Sequence, residues 1–193
     1  ERENVCNYLD IALQHISDHI LKMMRRDITS NQTRELLARI RDEVPDIHIR
    51  TTFMVGHPDE TDDDFAELCD FVKEARFERM GAFAYSHEHG TYSFENHEDN
   101  IPDEVKQQRL DRLMNIQQAI AEEVNEQKVG KILKTIIDRR EGEYFIGRTE
   151  YDSPEIDPEI IIGGKKNLKQ GEFYNILINR AEAFELYGEP AKK

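Results

Sequence analysis

Cysteine is scarce in this sequence of 193 residues, where only Cys6 and Cys69 occur. Because they form no CxxC or CxxxC pattern, we expect no disulfide framework, and neither makes a zinc or iron–sulfur motif by itself. Cys69 falls at helical spacing with Phe65, Leu68 and Val72, which predicts a place in a hydrophobic core. For Cys6 we expect packing in the core or at a strand edge. The scarcity of cysteine also favours a cytoplasmic setting.

Long hydrophobic runs are also missing. No apolar stretch approaches the roughly 20 residues needed to cross a bilayer, so the sequence predicts no transmembrane helix and no membrane partner. The first residues, Glu1 to Asp10, are mixed and polar, so we expect no signal peptide. With no initiator Met, we expect a fragment boundary at this end. Hydrophobic residues make up 38% of the sequence and charged residues 34%, which indicates a globular protein.

Basic residues are fewer than acidic ones, and the imbalance is confined to one part of the chain. The net charge is −14, yet the segment from Lys128 to the end carries 12 basic and 12 acidic residues. Residues 1–127 therefore hold the whole excess of acid. Proteins that bind nucleic acid usually carry a basic face that neutralises phosphates. The charge balance thus favours a basic protein over RNA as the partner.

The first part of the chain alternates short apolar segments with amphipathic ones, which is typical of βα units around a parallel sheet. Ser17 and Thr61 are suitable helix N-caps, Pro45 ends a helix, and Pro102 opens one. The acids that follow Thr61 complement the positive end of a helix dipole, and we expect no metal site there. The predicted strands are 8–13, 47–55 and 80–85, and the predicted helices are 17–24, 30–44, one beginning at 61, and 102–127, with a polar loop over 86–100.

Past Gly130 the hydrophobic pattern changes to a period of two. Five short segments of this kind are separated by turn residues such as Gly171. Such a series predicts a small closed antiparallel β-barrel of OB-like size. We place the domain boundary near Lys128, so that the domains are 1–127 and 128–193. The predicted strands are 132–137, 144–149, 160–162, 173–178 and 183–187.

Three stretches of the first domain fall where a predicted strand ends. In a βα barrel the carboxyl ends of the strands hold the active site, so these stretches are the candidate functional segments. None is decisive alone, but their order and spacing together are specific. The stretches are Leu-Asp-Ile-Ala-Leu-Gln-His-Ile-Ser at 9–17, Ile-Arg-Thr-Thr-Phe-Met-Val-Gly-His-Pro-Asp-Glu-Thr at 49–61, and Phe-Ala-Tyr-Ser-His-Glu-His-Gly-Thr at 83–91.

Together these stretches resemble the second half of the radical-SAM barrel of methylthiotransferases. The similar features are a strand that ends near Leu-Gln-His, a Thr-Thr-Phe-x-Val-Gly-x-Pro-x-Glu-Thr turn, and a Tyr-Ser-x-Glu-x-Gly-Thr loop. The neutral tail is similar to the TRAM domain that closes these proteins. Gln14-His15 and Thr51-Thr52 resemble the RimO branch of the family more than the tRNA-modifying MiaB branch.

The resemblance implies a fold and an activity. The fold is α/β: a partial radical-SAM βα barrel with parallel strands and a long linking helix, followed by a small antiparallel OB-like barrel. RimO enzymes add a methylthio group to the β-carbon of an aspartate in the twelfth small-subunit ribosomal protein, and this basic substrate agrees with the acidic charge balance. Their cofactors are S-adenosylmethionine and iron–sulfur clusters. The chain lacks the family's CxxxCxxC loop and three further cysteines, so we expect no catalytic residue and no activity in the chain alone.

Two residues of the second stretch depart from the family pattern. His57 and Asp59 stand where the family usually has Phe and Gly. Aspartate tolerates a left-handed backbone better than most residues do, yet the loss of glycine leaves a positive φ at position 59 in doubt.

Three residues are candidates for binding S-adenosylmethionine under this resemblance. Gln14, at the end of a strand, offers a donor and an acceptor to a ribose hydroxyl. Thr52 and Met54 share one face of the second strand if side chains alternate, and one face of a barrel strand points to the lumen. Met54 would pack on the adenine ring and Thr52 would add a polar contact; the alternative is that both fill the barrel. The histidines of loop 86–100 have no metal-ligand spacing, so we expect no metal site.

Two other functions stay open at this point. A tRNA methylthiotransferase of the MiaB type would be favoured by a basic face on the second domain, because phosphate contacts require clustered cations. A protein-interaction module that binds a basic protein and has no chemistry is the third reading. The cations that would form the basic face are Lys131, Lys134, Arg139, Arg140, Lys165, Lys166 and Lys169.

Overall fold

The computed structural model describes residues 5–154, 156–163 and 167–191. Contacts within the chain divide it into two compact units, Leu9–Gln118 on the one hand and Ala119–Lys193 with Glu1–Tyr8 on the other. Lys165 and Lys166, two cations of the predicted basic face, lie outside the described residues. In the part of the chain that is described, no helix combines the length and hydrophobicity that crossing a bilayer requires.

The first unit is built from alternating strands and helices. Its strands are β1 (Tyr8–Gln14), β2 (His48–Val55) and β3 (Arg79–Ala84), and its helices are α1 (Asp18–Met23), α2 (Ser30–Glu43), α3 (Asp62–Ala75), α4 (Tyr92–Asn96) and α5 (Asp103–Glu126). The strands form one sheet in the order β1-β2-β3, and β2 runs parallel to β3. This topology confirms the prediction of a partial βα barrel.

Two helices begin at threonines that close a capping box. Thr29 Oγ1 accepts the N–H of Gln32 at 3.3 Å, and Gln32 Oε1 accepts the N–H of Thr29 at 2.9 Å. Thr61 and Asp64 make the same reciprocal pair at 3.1 and 2.9 Å. These bonds satisfy N–H groups that have no partner inside the helix, so α2 and α3 begin where the sequence predicts. Ser17 occupies the predicted N-cap position of α1, but its hydroxyl bonds to Asp64 instead of to the backbone of the helix.

The core of this unit lies on one face of β2. Burial alternates strictly along the strand, and Ile49, Phe53 and Val55 point inward. The rings of Phe53, Phe71 and Phe77 meet edge to face, with centroids 5.7 to 6.2 Å apart. Each fully buried side chain of this size stabilises the fold by roughly 1.5–3 kcal/mol. The sheet therefore has one packed face and one face that is left for contacts other than the core.

Some local predictions are confirmed and others are wrong. Cys69 is buried on α3, as its helical spacing predicts. Cys6 is exposed, against the prediction of packing, because it precedes β1 rather than lying in the strand. The loop predicted over 86–100 contains the short helix α4, which begins where Thr91 Oγ1 accepts the N–H of Phe94 at 3.2 Å.

The second unit contains a closed barrel of five strands. The strands are β4 (Ile132–Glu141), β5 (Tyr144–Thr149), β6 (Glu159–Ile162), β7 (Phe173–Ala181) and β8 (Glu185–Pro190), in the order β4-β5-β6-β8-β7. Burial alternates along most of the strands, which is the pattern that the period of two predicts, but residues 145–147 of β5 are all buried. The buried cluster inside is Ile137, Phe145, Ile160, Ile162, Leu168, Ile176, Ile178 and Leu186.

The barrel is mixed, so the prediction of a purely antiparallel barrel is wrong. β6 and β8 run parallel, while the other neighbouring pairs are antiparallel. The number of strands gives the reason: directions cannot alternate all the way around a ring of five, so at least one pair must be parallel. Gly188 of β8 allows the close approach of β7 there, because a Cβ at that position would lie 2.6 Å from the carbonyl oxygen of Leu177.

The last turns of α5 contact the barrel directly. Asn125 is fully buried, and its Nδ2 donates to the carbonyl oxygens of Glu182 at 2.9 Å and Ala183 at 3.0 Å, just before β8. Lys128 Nζ donates to Asn125 Oδ1 at 3.1 Å. These bonds satisfy two carbonyl oxygens that precede β8. The C-terminal end of α5 therefore belongs to the same compact unit as the barrel.

We predict that a fragment 119–193 is more stable than a fragment 128–193 by about 1–3 kcal/mol, because the shorter one leaves the two carbonyls without their donor. Urea denaturation of both fragments, followed by circular dichroism, measures the difference. Asn125→Ala in the longer fragment should remove most of it. Equal stability of the two fragments would instead support the boundary near Lys128, which stays a prediction.

Candidate functional site

Thr52 and Met54 lie on the face of β2 that points away from the core. Both are half-buried and alternate with fully buried residues, which confirms that they share a face. On the neighbouring strand, Gly81 is in register with Thr52 and Phe83 with Met54. The Phe83 side chain is 62% exposed. This face of the sheet therefore presents a thioether beside an aromatic ring, and a hydroxyl that is opposite a glycine on β3, with Arg50 Nη2 3.9 Å from where a Cβ of that glycine would lie.

Gln14 lies at the end of β1 and is half-buried. An ion pair of 3.4 Å between Asp10 Oδ2 and Arg50 Nε assigns the even-numbered residues of β1 and β2 to the same face. Gln14 has a left-handed backbone, with φ 68°, which non-glycine residues seldom adopt. The strand ends sharply there, because the N–H of His15 donates back to the carbonyl oxygen of Leu13 at 2.9 Å.

The turn after β2 contains two residues with positive φ, Gly56 at 74° and Asp59 at 62°. Asp59 thus takes the conformation that the loss of the family's glycine left in doubt. Asn100 supports it from the loop before α5: Asn100 Oδ1 accepts the N–H of Asp59 at 3.0 Å, and Asn100 Nδ2 donates to Asp59 Oδ1 at 2.5 Å. A left-handed non-glycine residue costs roughly 1–2 kcal/mol, and two local hydrogen bonds offset a cost of that size.

The buried carboxylate of Glu60 accepts hydrogen bonds from the backbone of the same turn. Glu60 Oε2 accepts the N–H of Gly56 at 2.5 Å and that of His57 at 3.3 Å. Arg109 of α5 donates from Nη1 to Glu60 Oε1 at 3.1 Å and to the Glu60 carbonyl oxygen at 2.9 Å, and from Nη2 to Asp62 at 2.8 Å. Burial raises the pKa of Glu60 to about 7, although Arg109 and the two backbone N–H groups oppose that shift.

His15 is fully buried beside this carboxylate. Its Nδ1 accepts the N–H of Ser17 at 3.0 Å, so the neutral ring carries its proton on Nε2. That Nε2 faces Glu60 Oε2 at 3.9 Å, and no hydrogen-bond acceptor among the described residues comes within range of it. Burial lowers the pKa of His15 to about 4, so the ring is neutral at physiological pH.

A second carboxylate, Asp64, ties α1 to the start of α3. It accepts hydrogen bonds from the hydroxyls of Ser17 and Thr61 and contacts the ring Nδ1 of His19 at 3.1 Å. Burial alone would raise the pKa of Asp64, but these bonds outweigh it and keep the pKa far below its usual value. Asp64 is therefore a fixed negative charge that joins two helices.

His57 replaces the family's Phe with a ring that behaves as an aromatic. It packs edge-on against Tyr85, with ring centroids 5.2 Å apart. Its Nδ1 donates to the carbonyl oxygen of Pro58 at 3.1 Å, and Nε2 accepts from Ser93 at 3.0 Å. Burial lowers the pKa of His57. The neutral imidazole, with both nitrogens hydrogen-bonded, packs as a phenyl ring would. It also forms a hydrogen bond to Ser93 of α4.

Sequence reasoning missed Arg109 and Asn100. Neither has a local signal near Glu60 or Asp59, because both partners lie about 40 to 50 residues away in the chain. One indication was available for Arg109: it stands four residues before Leu113 on the apolar stripe of α5, and a cation on a buried helix face requires a buried acid.

The open face of the sheet fits S-adenosylmethionine chemically. Gln14 can bond a ribose hydroxyl, and Met54 offers apolar surface to an adenine ring. The cysteines do not fit an iron–sulfur cluster, because Cys6 is exposed while Cys69 is buried on α3, and clusters require several thiolates together. Within the described ranges, no three His, Cys, Asp or Glu side chains converge as a metal-ligand set.

The chain is similar to known proteins along almost its whole length. Residues 2–72 match the radical SAM superfamily, and residues 129–190 match the TRAM domain. The chain is 60% identical over 189 residues to the ribosomal protein uS12 methylthiotransferase RimO of Parabacteroides distasonis, and 56% identical over 194 residues to that of Bacteroides thetaiotaomicron. That of Christiangramia forsetii is 53% identical over 187 residues. These alignments cover 98%, 100% and 96% of this chain but 44%, 44% and 41% of the relatives, so the chain spans less than half of their length.

Proposed function

We infer the function of this chain from its family, since it belongs to the RimO-type radical SAM methylthiotransferases. The whole protein adds a methylthio group to an aspartate side chain of ribosomal protein uS12, and this chain supplies part of the barrel and the TRAM domain. The observation that carries the proposal is the identity of 53–60% to the uS12 methylthiotransferases over nearly the whole chain. Because the substrate is a ribosomal protein, the enzyme works in the cytoplasm.

Within this function, Gln14, Thr52 and Met54 bind S-adenosylmethionine. When bound and reductively cleaved, S-adenosylmethionine supplies the radical chemistry of the superfamily. Gln14 bonds a ribose hydroxyl from the end of β1, and Thr52 contributes a hydroxyl where Gly81 leaves space. Met54 lies against the adenine ring, and the exposed ring of Phe83 extends the apolar surface beside it.

The iron–sulfur clusters belong to a part of the protein outside this chain. Cluster ligation requires thiolates at defined spacing, and the chain offers one exposed and one buried cysteine. Without a cluster there is no electron for reductive cleavage of S-adenosylmethionine, so the chain alone is inactive.

The basic substrate fits an acidic groove on the barrel. The groove consists of two adjoining depressions of about 350 and 380 Å³ that share Glu141, Ile146 and Ile161. Tyr144 and Phe184 at its edges are each 54% exposed. Apolar floor and acidic rim together suit a segment that carries Lys or Arg beside apolar residues. The charged residues that line the groove are Glu141, Asp157, Glu159 and Glu185, with Arg180 as the one cation among them.

A tRNA substrate is the second candidate, and the ion pairs of the barrel argue against it. Arg139 of the predicted basic face bonds to Glu141 at 2.6 Å and also to Glu159. Lys169 lies 3.6 Å from Glu172. Cations already paired with carboxylates release fewer counterions when they meet phosphates, so Arg139 and Lys169 contribute little to a phosphate-binding face.

The test compares the two substrates with the reconstituted full-length protein under anaerobic conditions. It is offered the small ribosomal subunit and unmodified tRNA at equal ionic strength, and mass spectrometry follows the gain of a methylthio group. We expect the gain on the ribosomal protein, with binding that weakens as salt rises because the groove and the substrate carry opposite charge. A gain on tRNA would replace this proposal with the MiaB-type reading.

Charge reversal in the acidic groove should slow the reaction with the ribosomal protein. We predict that Glu141→Lys with Glu185→Lys lowers the association rate by about tenfold at low salt. Glu35→Lys with Glu104→Lys is the matched control, because it changes the net charge equally on exposed positions of α2 and α5. Equal losses in both double variants would mean that total charge matters and the groove does not.

A further inference from the structure

One buried carboxylate lies behind both strand ends of the open face. Glu60 accepts the N–H groups of Gly56 and His57, the first two residues after β2. The same Oε2 faces Nε2 of His15, the first residue after β1, at 3.9 Å. A single side chain therefore hydrogen-bonds to the end of β2 and packs against the first residue after β1, and side chains that are locked this way place their neighbours accurately.

The residues next to these contacts are the ones that face the open side of the sheet. Gln14 immediately precedes His15, and its φ of 68° depends on the sharp end of β1. Met54 lies two residues before Gly56 on the half-buried face of β2. A shift of Glu60 would therefore move both side chains through the backbone without touching any ligand itself.

Arg109 fixes the orientation of Glu60. Its guanidinium bonds one carboxylate oxygen and the carbonyl oxygen of the same residue, which leaves Oε2 for the strand ends. Both side chains are buried, so water does not compete for the hydrogen bonds between them, and neither side chain has space to rotate. Its other contact, Asp62, is 99% exposed and touches neither strand end.

We propose that Glu60, oriented by Arg109, is a positioning residue that holds the ends of β1 and β2 so that Gln14 and Met54 face S-adenosylmethionine. The proposal rests on the proposed function, because it takes S-adenosylmethionine as the ligand of this face. Glu60 itself contacts no ligand. Glu60 affects the binding of S-adenosylmethionine by positioning Gln14, so the effects of substituting the two residues are not additive.

The test measures the dissociation constant of S-adenosylmethionine by equilibrium dialysis with the reconstituted full-length protein. In Glu60→Gln, the amide oxygen can still accept the N–H groups of the strand end. The amide nitrogen would then face the Arg109 guanidinium, and two donors cannot form a hydrogen bond, so the side chain cannot keep the same orientation. We expect binding to weaken by about tenfold, the size seen when groups that orient a ligand-contacting residue are removed. Asp62→Asn is the matched control, because it removes a contact of Arg109 without reaching a strand end, and its binding should stay unchanged.

A double-variant cycle separates positioning from a general loss of structure. In a Gln14→Ala background, Glu60→Gln should weaken binding by clearly less than tenfold, because the residue through which it acts is gone. Arg109→Lys, which keeps the charge but loses the planar fork, should give an intermediate loss and serves if Glu60→Gln does not fold. Additive losses, or a Glu60→Gln protein that binds as tightly as the parent, would overturn the inference. If the parent protein itself binds no S-adenosylmethionine, the proposed function fails first.

Discussion

Gly56→Ala is expected to destabilise the first unit by about 2–5 kcal/mol. Two costs combine at this position: a left-handed alanine costs roughly 1–2 kcal/mol, and forcing a methyl group into packed surroundings costs roughly 1–3 kcal/mol. A Cβ on Gly56 would overlap Cγ of Lys106 and lie 3.0 Å from its Cβ. These atoms are the near end of the side chain, so they move only if α5 moves.

Lys106 has little freedom to give way. The residue is buried, and its Nζ donates to Asp99 at 2.7 Å and to Asp103 at 3.1 Å. Burial alone would lower the pKa of Lys106, but the two carboxylates outweigh it and raise that pKa, so the side chain is held as a charged anchor. Displacing it would break an ion pair whose lysine is almost completely covered.

Gly90→Ala is the control for the backbone cost alone. Gly90 also has a positive φ, 80°, but a Cβ there would meet nothing within 4 Å. Its substitution should cost about 1 kcal/mol, the strain of the left-handed conformation without the overlap. Urea denaturation followed by circular dichroism compares the two variants in the same chain. Equal losses in both variants would show that Lys106 yields freely, and the packing argument would then be wrong.

The elements that the sequence predicts best are those specified by short-range chemistry. The strand over 47–55 is found at His48–Val55, and the helix over 30–44 at Ser30–Glu43. In both cases the signal is local: a run of β-branched residues ended by Gly56, and an amphipathic segment ended by Pro45. The alternation along β2 was sufficient to place Thr52 and Met54 on one face.

The features that the sequence does not reveal depend on partners far away in the chain. The helix predicted over 102–127 belongs to the amphipathic segments, yet the buried face of α5 also carries Lys106, Arg109 and Gln117. Gln117 Nε2 donates to the carbonyl oxygen of Phe77 at 2.9 Å. Arg109 and Gln117 are buried because distant groups satisfy them, and periodicity cannot identify those groups. The parallel pair in the barrel was missed for another reason: closure, not strand chemistry, requires it.

Removing the guanidinium of Arg109 is expected to have the largest effect of all. Arg109→Met leaves the Glu60 carboxylate buried without its counterion, and breaking one partner of a buried pair costs about 3–5 kcal/mol. The thioether preserves most of the side-chain volume, so little of this loss comes from a cavity. Asp62→Asn removes the exposed partner of the same guanidinium, and its cost should stay below about 1 kcal/mol. Thermal or urea unfolding at about pH 9 gives both values, because Glu60, with a pKa of about 7, is charged there in the parent protein.

The pH dependence identifies Glu60 as the source of that loss. The folded pKa of Glu60, about 7, lies above its ordinary value of 4.5, so its contribution to stability is present below 4.5 and is lost as pH rises through 7. Without Arg109 the charged form is disfavoured further and the folded pKa rises above 7, so the loss in Arg109→Met should stay nearly constant below about pH 6 and grow as pH rises from about 7 to about 9. His15 acts in the opposite sense, because its pKa of about 4 lies below 6.5 and its contribution disappears on acidification between those values.

Comparing parent and variant at each pH removes most of the His15 contribution, because that ring is present in both. Adding Glu60→Gln to Arg109→Met should flatten the pH dependence and recover part of the stability, since no charge is then left buried. A loss in Arg109→Met that stays constant from about pH 6 to about pH 9 would mean that the carboxylate is not the group left unpaired. The energetic role assigned to Arg109 would then have to come from its bond to the backbone carbonyl of Glu60 alone.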